Sequence, residues 1–278
     1  MTNDAPQTKP WSDIDLARWR DYPEVKTDSL WLYESRASGD GHKLDYHGNF
    51  IPQIATQIFT RYTKKDDIVL DLFLGSGTSA IEAARLERRC LGVELKADLV
   101  DYVRGKIDPA LLKDRIQLMQ GNSASPEIVA QASAALQSMG AGHAHLLMLH
   151  PPYADIIKFS AQADDLSNAP TTAAFLDGFE LVARHGFELL APGRFAALVI
   201  GDKYENGELA PLGFWCMERM NRVGFKTKAI IVKNIEGNEK GKGKTANLWR
   251  YRALAGGYYI FKHEYVMVFF KPKRAPRP

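Results

Sequence analysis

One stretch constrains the fold of this chain more than any other. Ile68-Val69-Leu70-Asp71-Leu72 is a short, almost wholly apolar run, and Gly75-Ser76-Gly77-Thr78 breaks it. An apolar run of that length, bounded by glycines, reads as a strand buried on both faces. Ser79 to Leu86 then carries alanines and one apolar face, as a helix does. A second run, Cys90-Leu91-Gly92-Val93, ends in an acid, Glu94. Strand, glycine turn, helix and strand open a parallel sheet, because parallel neighbours need a right-handed crossover between them.

The rest of the chain continues that alternation. Ile51, Ile54, Ile58 and Phe59 recur at helical spacing, and Pro52 suits the first turn. A helix is predicted over 97–107, a strand over 116–120 closed by Gly121-Asn122, and a helix over 126–138. A strand over 144–149 runs into His150-Pro151-Pro152-Tyr153. A helix over 172–188, a turn at Pro192-Gly193, a strand over 194–200 and a helix over 212–223 follow. The last strands are predicted at 227–232 and 265–270. The expected fold is α/β and Rossmann-like, a doubly wound, mostly parallel sheet of seven strands with helices on both faces. Residues 1–45 are polar with aromatic points at Trp11, Trp19, Tyr22, Trp31 and Tyr33; they are expected to form an arm packed on one catalytic domain, 46–278. That domain carries an insert, 234–260, between the last two strands.

Composition matters here for what it excludes. The 278 residues are 45% hydrophobic and 25% charged, enough for a core that needs no disulfide or metal. No apolar run approaches the roughly 18 residues of a membrane span, and Met1 to Trp11 holds no apolar signal core. A cytoplasmic protein, nucleoid-associated when bound to DNA, is expected. Cys90 and Cys216 form no C-x-x-C pair, so no structural metal is expected. His143 and His145 share a strand face but lack an evident third ligand. The net charge is only +3, yet Lys226 to Arg252 holds eight basic residues against Glu236 and Glu239, which permits a polyanionic partner.

Two segments carry chemistry. Gly75 and Gly77 let backbone pass close to a ligand, and the helix that follows favours polar or anionic groups at its N-terminus. The third glycine of the dinucleotide fingerprint is missing. Glu94 closes the next strand, where a doubly wound sheet binds a ribose diol. A nucleoside-containing cofactor is therefore expected. His150-Pro151-Pro152-Tyr153 lies at the carboxyl end of its strand, where such sheets bind ligands. Two prolines fix the backbone, remove two donors and leave carbonyl acceptors beside an aromatic ring.

Asp71-Leu72-Phe73-Leu74-Gly75-Ser76-Gly77-Thr78 together with His150-Pro151-Pro152-Tyr153 resembles the exocyclic-amino methyltransferases that modify adenine N6 or cytosine N4 in DNA with S-adenosylmethionine. His47 to Ile54 and His263 to Lys271 resemble that family's cofactor-covering segment and closing strand. The resemblance spans about residues 45 to 271 and implies a class I methyltransferase fold. It implies that Asp71 opens the cofactor loop and that Phe73 and Gly75, Ser76, Gly77 and Thr78 line the methionine and ribose. Glu94 would take the ribose hydroxyls and Asn122 the adenine amino group. Asn49, Phe50, Ile51 and Pro52 would cover the cofactor's carboxylate. His150 and the Pro151 carbonyl would accept hydrogen bonds from the target amine, Pro152 would hold the loop rigid, and Tyr153 would stack on the flipped base. The partners implied are DNA and, in some members, a cognate restriction nuclease; a homodimer is left open.

Two departures qualify the resemblance. Position 150 is histidine where the family has Asp, Asn or Ser, so adenine is favoured over cytosine only because that activity is the commoner among the proteins it resembles. An unshifted histidine titrates near roughly 6.5, so an acid limb on the reaction is expected. The other departure is the lack of a separate recognition domain. DNA contact is expected from the arm, from 154–171 or from the insert, with Lys240, Lys242, Lys244, Arg250 and Arg252 on phosphates and Trp249, Tyr251, Tyr258 and Tyr259 nearby. A solvated basic hairpin is the plain alternative. RNA and protein-glutamine methyltransferases also use a Pro-Pro-Tyr loop, and His150 also suits a non-catalytic DNA-binding subunit. Gly243-Lys244-Thr245 is no P-loop, because Asn238 stands where the pattern needs glycine.

Overall fold

The structure, a computed structural model, describes residues 9–37, 48–153, 160, 162, 164–235 and 246–273. The described strands are β1 (Leu30–Trp31), β2 (Ile68–Asp71), β3 (Arg89–Glu94), β4 (Ile116–Gln120), β5 (Ala144–Leu149), β6 (Leu190–Ile200), β7 (Lys203–Glu205), β8 (Glu208–Ala210), β9 (Lys226–Asn234) and β10 (His263–Phe270). The helices are α1 (Pro52–Tyr62), α2 (Thr78–Arg85), α3 (Ala97–Arg104), α4 (Pro109–Asp114), α5 (Glu127–Ser138), α6 (Thr172–Leu189), α7 (Leu212–Val223) and α8 (Ala246–Gly256).

One sheet organises the molecule, in the order β1-β9-β10-β6-β5-β2-β3-β4. Strands β6, β5, β2, β3 and β4 run parallel, and β10 lies antiparallel between β6 and β9. Side chains alternate between two apolar layers. Leu70, Leu147 and Leu149 meet Phe175, Phe179 and Met220 from α6 and α7. Val69, Leu146 and Met148 meet Ile54, Ile58 and Phe59 from α1 and Val103 from α3. All four residues of β2 are buried, which is why the run reads as continuously apolar rather than alternating.

The sheet has eight strands, not the seven expected. The extra one is β1, which comes from the arm and pairs parallel to β9 through Leu30 with Val232 and Trp31 with Lys233. Two residues carry no readable periodicity. The buried Trp31 ring and the Asn234 side chain, which bonds Tyr33 N–H and C=O at 2.8 and 2.9 Å, hold them in place. The arm also lays Trp11 edge-on to Phe195 at 5.3 Å.

Pro192-Gly193 is not a turn between elements. β6 runs through it with a bulge: Leu190 pairs with Ala144, yet Phe195 pairs with Leu146. Gly193 takes φ +79°, and its N–H donates to the Lys271 carbonyl at 2.8 Å, so the backbone stays bonded through the irregularity. Among the described residues of the insert, Ala246–Gly256 form a helix, α8. Lys240, Lys242 and Lys244 lie outside the described residues, as do 154–159 in the segment after Tyr153.

Candidate active site

Parallel strands β2, β3, β4 and β5 deliver their carboxyl ends to one edge, and the loops that leave them converge there. Asp71 ends β2, 1% exposed, and accepts the Phe73 N–H at 2.9 Å. Gly75 and Gly77 adopt φ +56° and +88°, conformations that favour glycine. The Gly75 N–H donates to Glu94 Oε2 at 2.8 Å and the Lys96 N–H to Oε1 at 3.0 Å, so the acid that closes β3 also pins the glycine loop. Leu74 fills the space left by the missing Cβ of Gly92; a Cβ there would sit 2.6 Å from Leu74 Cδ2. Burial pushes the Asp71 carboxyl up to about 6, with the neighbouring Glu94 charge adding to it. Burial also raises Glu94, against its two backbone donors.

β5 delivers the second loop. The His150 ring stands edge-on to Phe50 at 5.2 Å and to Tyr153 at 5.8 Å. Burial lowers its imidazole to about 4, opposed by the charge of Glu264. The value near 6.5 expected for an unshifted histidine does not hold here, because the charged imidazolium is poorly solvated. The Tyr153 hydroxyl donates to Glu264 Oε2 at 2.9 Å, and Lys233 Nζ donates to Oε1 at 2.9 Å. Burial, and then the Glu264 charge, hold the phenol well above its ordinary range.

Both loops open on one cavity of about 260 Å³. Asn49, Phe50, Phe73, Gly75, Thr78, Glu94, Asn122 and His150 to Tyr153 all line it. Ile51 and Pro52 instead pack in the core at the start of α1. Asp71 sits beneath the loop, and Ser76 is held by the Asn49 side chain. Gly77 faces α3 rather than the cavity, since a Cβ on it would lie 2.7 Å from Val103 Cγ1. Arg250 and Arg252 are exposed on α8, away from the lining.

The structure adds residues that the sequence did not single out. Glu264 lines the cavity, and Arg36 from the arm donates to the Asn49 and Phe50 carbonyls at 3.2 and 3.0 Å, bracing its rim. Only the His-Glu-Tyr opening of the last strand hinted at Glu264; nothing local marked Arg36.

The lining carries the groups that a nucleoside calls for. A Cβ at Gly75 would meet nothing closer than 3.8 Å, so backbone there has room for a ligand. Each Glu94 oxygen takes one backbone donor, which leaves lone pairs for a diol. Asn122 Oδ1 accepts Ala124 N–H at 2.9 Å, with its amide nitrogen still to donate. His143 and His145 lie at the opposite, amino-terminal edge with Asp67 and Arg89, and His145 Nδ1 accepts the Ile68 N–H. Among the described residues no group of three His, Cys, Asp or Glu is placed to hold a metal ion, and no helix is long and apolar enough to cross a membrane.

Comparison with known proteins agrees with this architecture. A family model described as DNA methylase matches residues 6–104, which span the arm, α1, the glycine loop and β3 and end in α3. Among solved structures, the [4+2]-cyclase SpnF is similar over 80% of this chain and 81% of its own, with a TM-score of 0.51 and 12% identity. TrmN from Thermus thermophilus is similar over 81% of this chain, which spans 50% of TrmN, with a TM-score of 0.47 and 16% identity. A methyltransferase from Pyrococcus furiosus is similar over 82% of this chain and 88% of its own, with a TM-score of 0.48 and 14% identity. The fold is the class I methyltransferase fold, with one strand added at the β9 edge.

Proposed function

We propose that the chain is an S-adenosylmethionine-dependent methyltransferase that modifies an exocyclic amine of a DNA base, adenine N6 before cytosine N4. The observation that carries the reading is the single cavity onto which the glycine loop and the Pro-Pro-Tyr loop both open. The DNA methylase match over the first of these loops supports DNA as the substrate. The preference for adenine rests on the resemblance alone.

S-adenosylmethionine would supply an electrophilic methyl group on its sulfonium. Glu94 would accept its ribose hydroxyls, Asn122 would meet its adenine, and Asn49 with Phe50 would face the methionine end. The target base must leave the duplex to reach the cavity. An aromatic amine is a weak nucleophile because its lone pair is delocalised. The Pro151 carbonyl and neutral His150 would accept its two N–H bonds, favour a pyramidal nitrogen and aim the lone pair. Tyr153 would hold the ring by stacking. Positioning of this kind converts an encounter into an effectively unimolecular step, worth several kcal/mol. Arg250 and Arg252 on α8, beside the exposed Tyr251 and Tyr259, would meet the DNA backbone.

Labelled methyl transfer to duplex DNA, to RNA and to protein in parallel tests the reading, with digestion of the DNA to nucleosides to identify the base. Label in N6-methyladenine is the expected result. Label in RNA or protein alone would replace the substrate, and cofactor binding without transfer to any acceptor would leave a non-catalytic subunit.

A further inference from the structure

Behind the Pro-Pro-Tyr loop lies an ion pair that the chemistry above does not use. Lys233 and Glu264 face each other across β9 and β10, and their side chains are 4% and 10% exposed. Two charges this deep lose hydration, and a pair of apolar side chains could fill such a site at no loss of stability. The pair therefore calls for a role beyond packing. Its geometry supplies one, because the second oxygen of Glu264 takes the Tyr153 hydroxyl. Gly201, the residue after β6, admits the ring: a Cβ there would lie 3.0 Å from Tyr153 Cε2. The edge-on His150 adds another contact to the same ring.

We propose that Lys233 and Glu264 form a positioning relay that locks the Tyr153 ring in the orientation that receives the target base. Glu264 acts through Tyr153, and Lys233 acts by holding Glu264. A tyrosine anchored only by its Cβ swings about two side-chain torsions. Bonding its hydroxyl to a fixed carboxylate holds the far end of the ring in place, and the Gly201 and His150 contacts set the tilt of its face, so the ordering is complete before substrate arrives. The inference rests on the methyltransferase reading for its kinetic consequence, but not for its structural one.

The test uses the full chain as wild type, Tyr153→Phe, Glu264→Gln and the double variant. Tyr153→Phe keeps the ring and leaves the buried ion pair intact, so it guards against misfolding. Each single variant is expected to slow single-turnover transfer about tenfold while cofactor affinity by calorimetry stays within about twofold. The double variant is expected to be no slower than the worse single one, because both act on one contact: Tyr153→Phe removes its donor, and Glu264→Gln exchanges its carboxylate acceptor for a neutral amide. Losses that multiply, a Tyr153→Phe enzyme at the wild-type rate, or loss of cofactor affinity would overturn the relay. A second readout is independent of activity. In labelled protein the three-bond couplings to the Tyr153 ring should report one χ1 rotamer in wild type and rotamer averaging in Glu264→Gln. If the wild type transfers no methyl group to any acceptor, the proposed function falls. Equal ring mobility in the two proteins would then sink the relay by itself.

Discussion

Burial moves two ionisable side chains beside the cavity in opposite directions. Asp71 has its carboxyl raised to about 6, and His150 has its imidazole lowered to about 4. For Asp71 the folded value exceeds the unfolded one, so its contribution to stability is full below about pH 4 and is lost as pH rises through 6. For His150 the folded value is the lower, so its contribution is present above about pH 6.5 and is lost as pH falls through 4. Each is worth about 3 kcal/mol at its limit, and between about pH 4 and 6 the two slopes oppose one another. Asp71→Asn keeps an acceptor for the Phe73 N–H and should melt higher than wild type at pH 8, with the gain fading toward pH 4. Thermal melts from pH 4 to 8 check this; a gain that does not vary with pH would refute the charged, buried Asp71. In single-turnover transfer, any acid limb near pH 6 should persist in His150→Asn and vanish in Asp71→Asn. The reverse pattern would mean that the imidazole titrates at its ordinary value and is not desolvated.

Close backbone approach governs the elements around the cavity. Gly92 lets Leu74 sit against β3, and Leu74 carries the loop that runs on to Gly75. Gly92→Ala should displace that loop and weaken cofactor binding at least tenfold, while overpacking costs about 1–3 kcal/mol of stability. Calorimetry with the cofactor alongside a urea melt separates the two effects, and wild-type affinity would show that the loop position does not matter. Gly77→Val should act mainly on stability, because its side chain would meet Val103 and its φ of +88° strains any β-branched residue. The sequence carried β2 to β5, α5 and α7 nearly to the residue, because each is bounded by glycine, proline or an acid and holds one period. It did not carry β1, whose two residues are placed by a partner some 200 positions away, nor the Glu264 bond to Tyr153, which joins residues 111 apart. The β7–β8 hairpin carries its own local signal: Asn206-Gly207, at φ +52° and +83°, is the pair that a two-residue hairpin turn favours.

At the scale of the whole molecule, positive charge gathers toward the C-terminal third, where Lys226 to Arg252 spans β9 and the insert as far as the middle of α8. Replacing Lys240, Lys242 and Lys244 with alanine should lower the slope of log affinity against log salt for duplex DNA by about three, one for each phosphate that no longer meets a lysine. An unchanged slope would move DNA binding to the arm. The pairing of β1 with β9 has a different consequence. β9 is otherwise the last strand of an open sheet, and such edges recruit other chains. The two halves of β9 are protected differently. Lys226 and Lys228 guard one with charge, while Val232, whose N–H is bonded to the Ser29 carbonyl at 2.8 Å, is covered in the other by the arm. Deleting residues 1–36 would strip that cover and leave the apolar half of β9 as a template. The shortened chain should then self-associate in proportion to its concentration in light scattering, and the arm would be this protein's guard against forming sheets with its own copies.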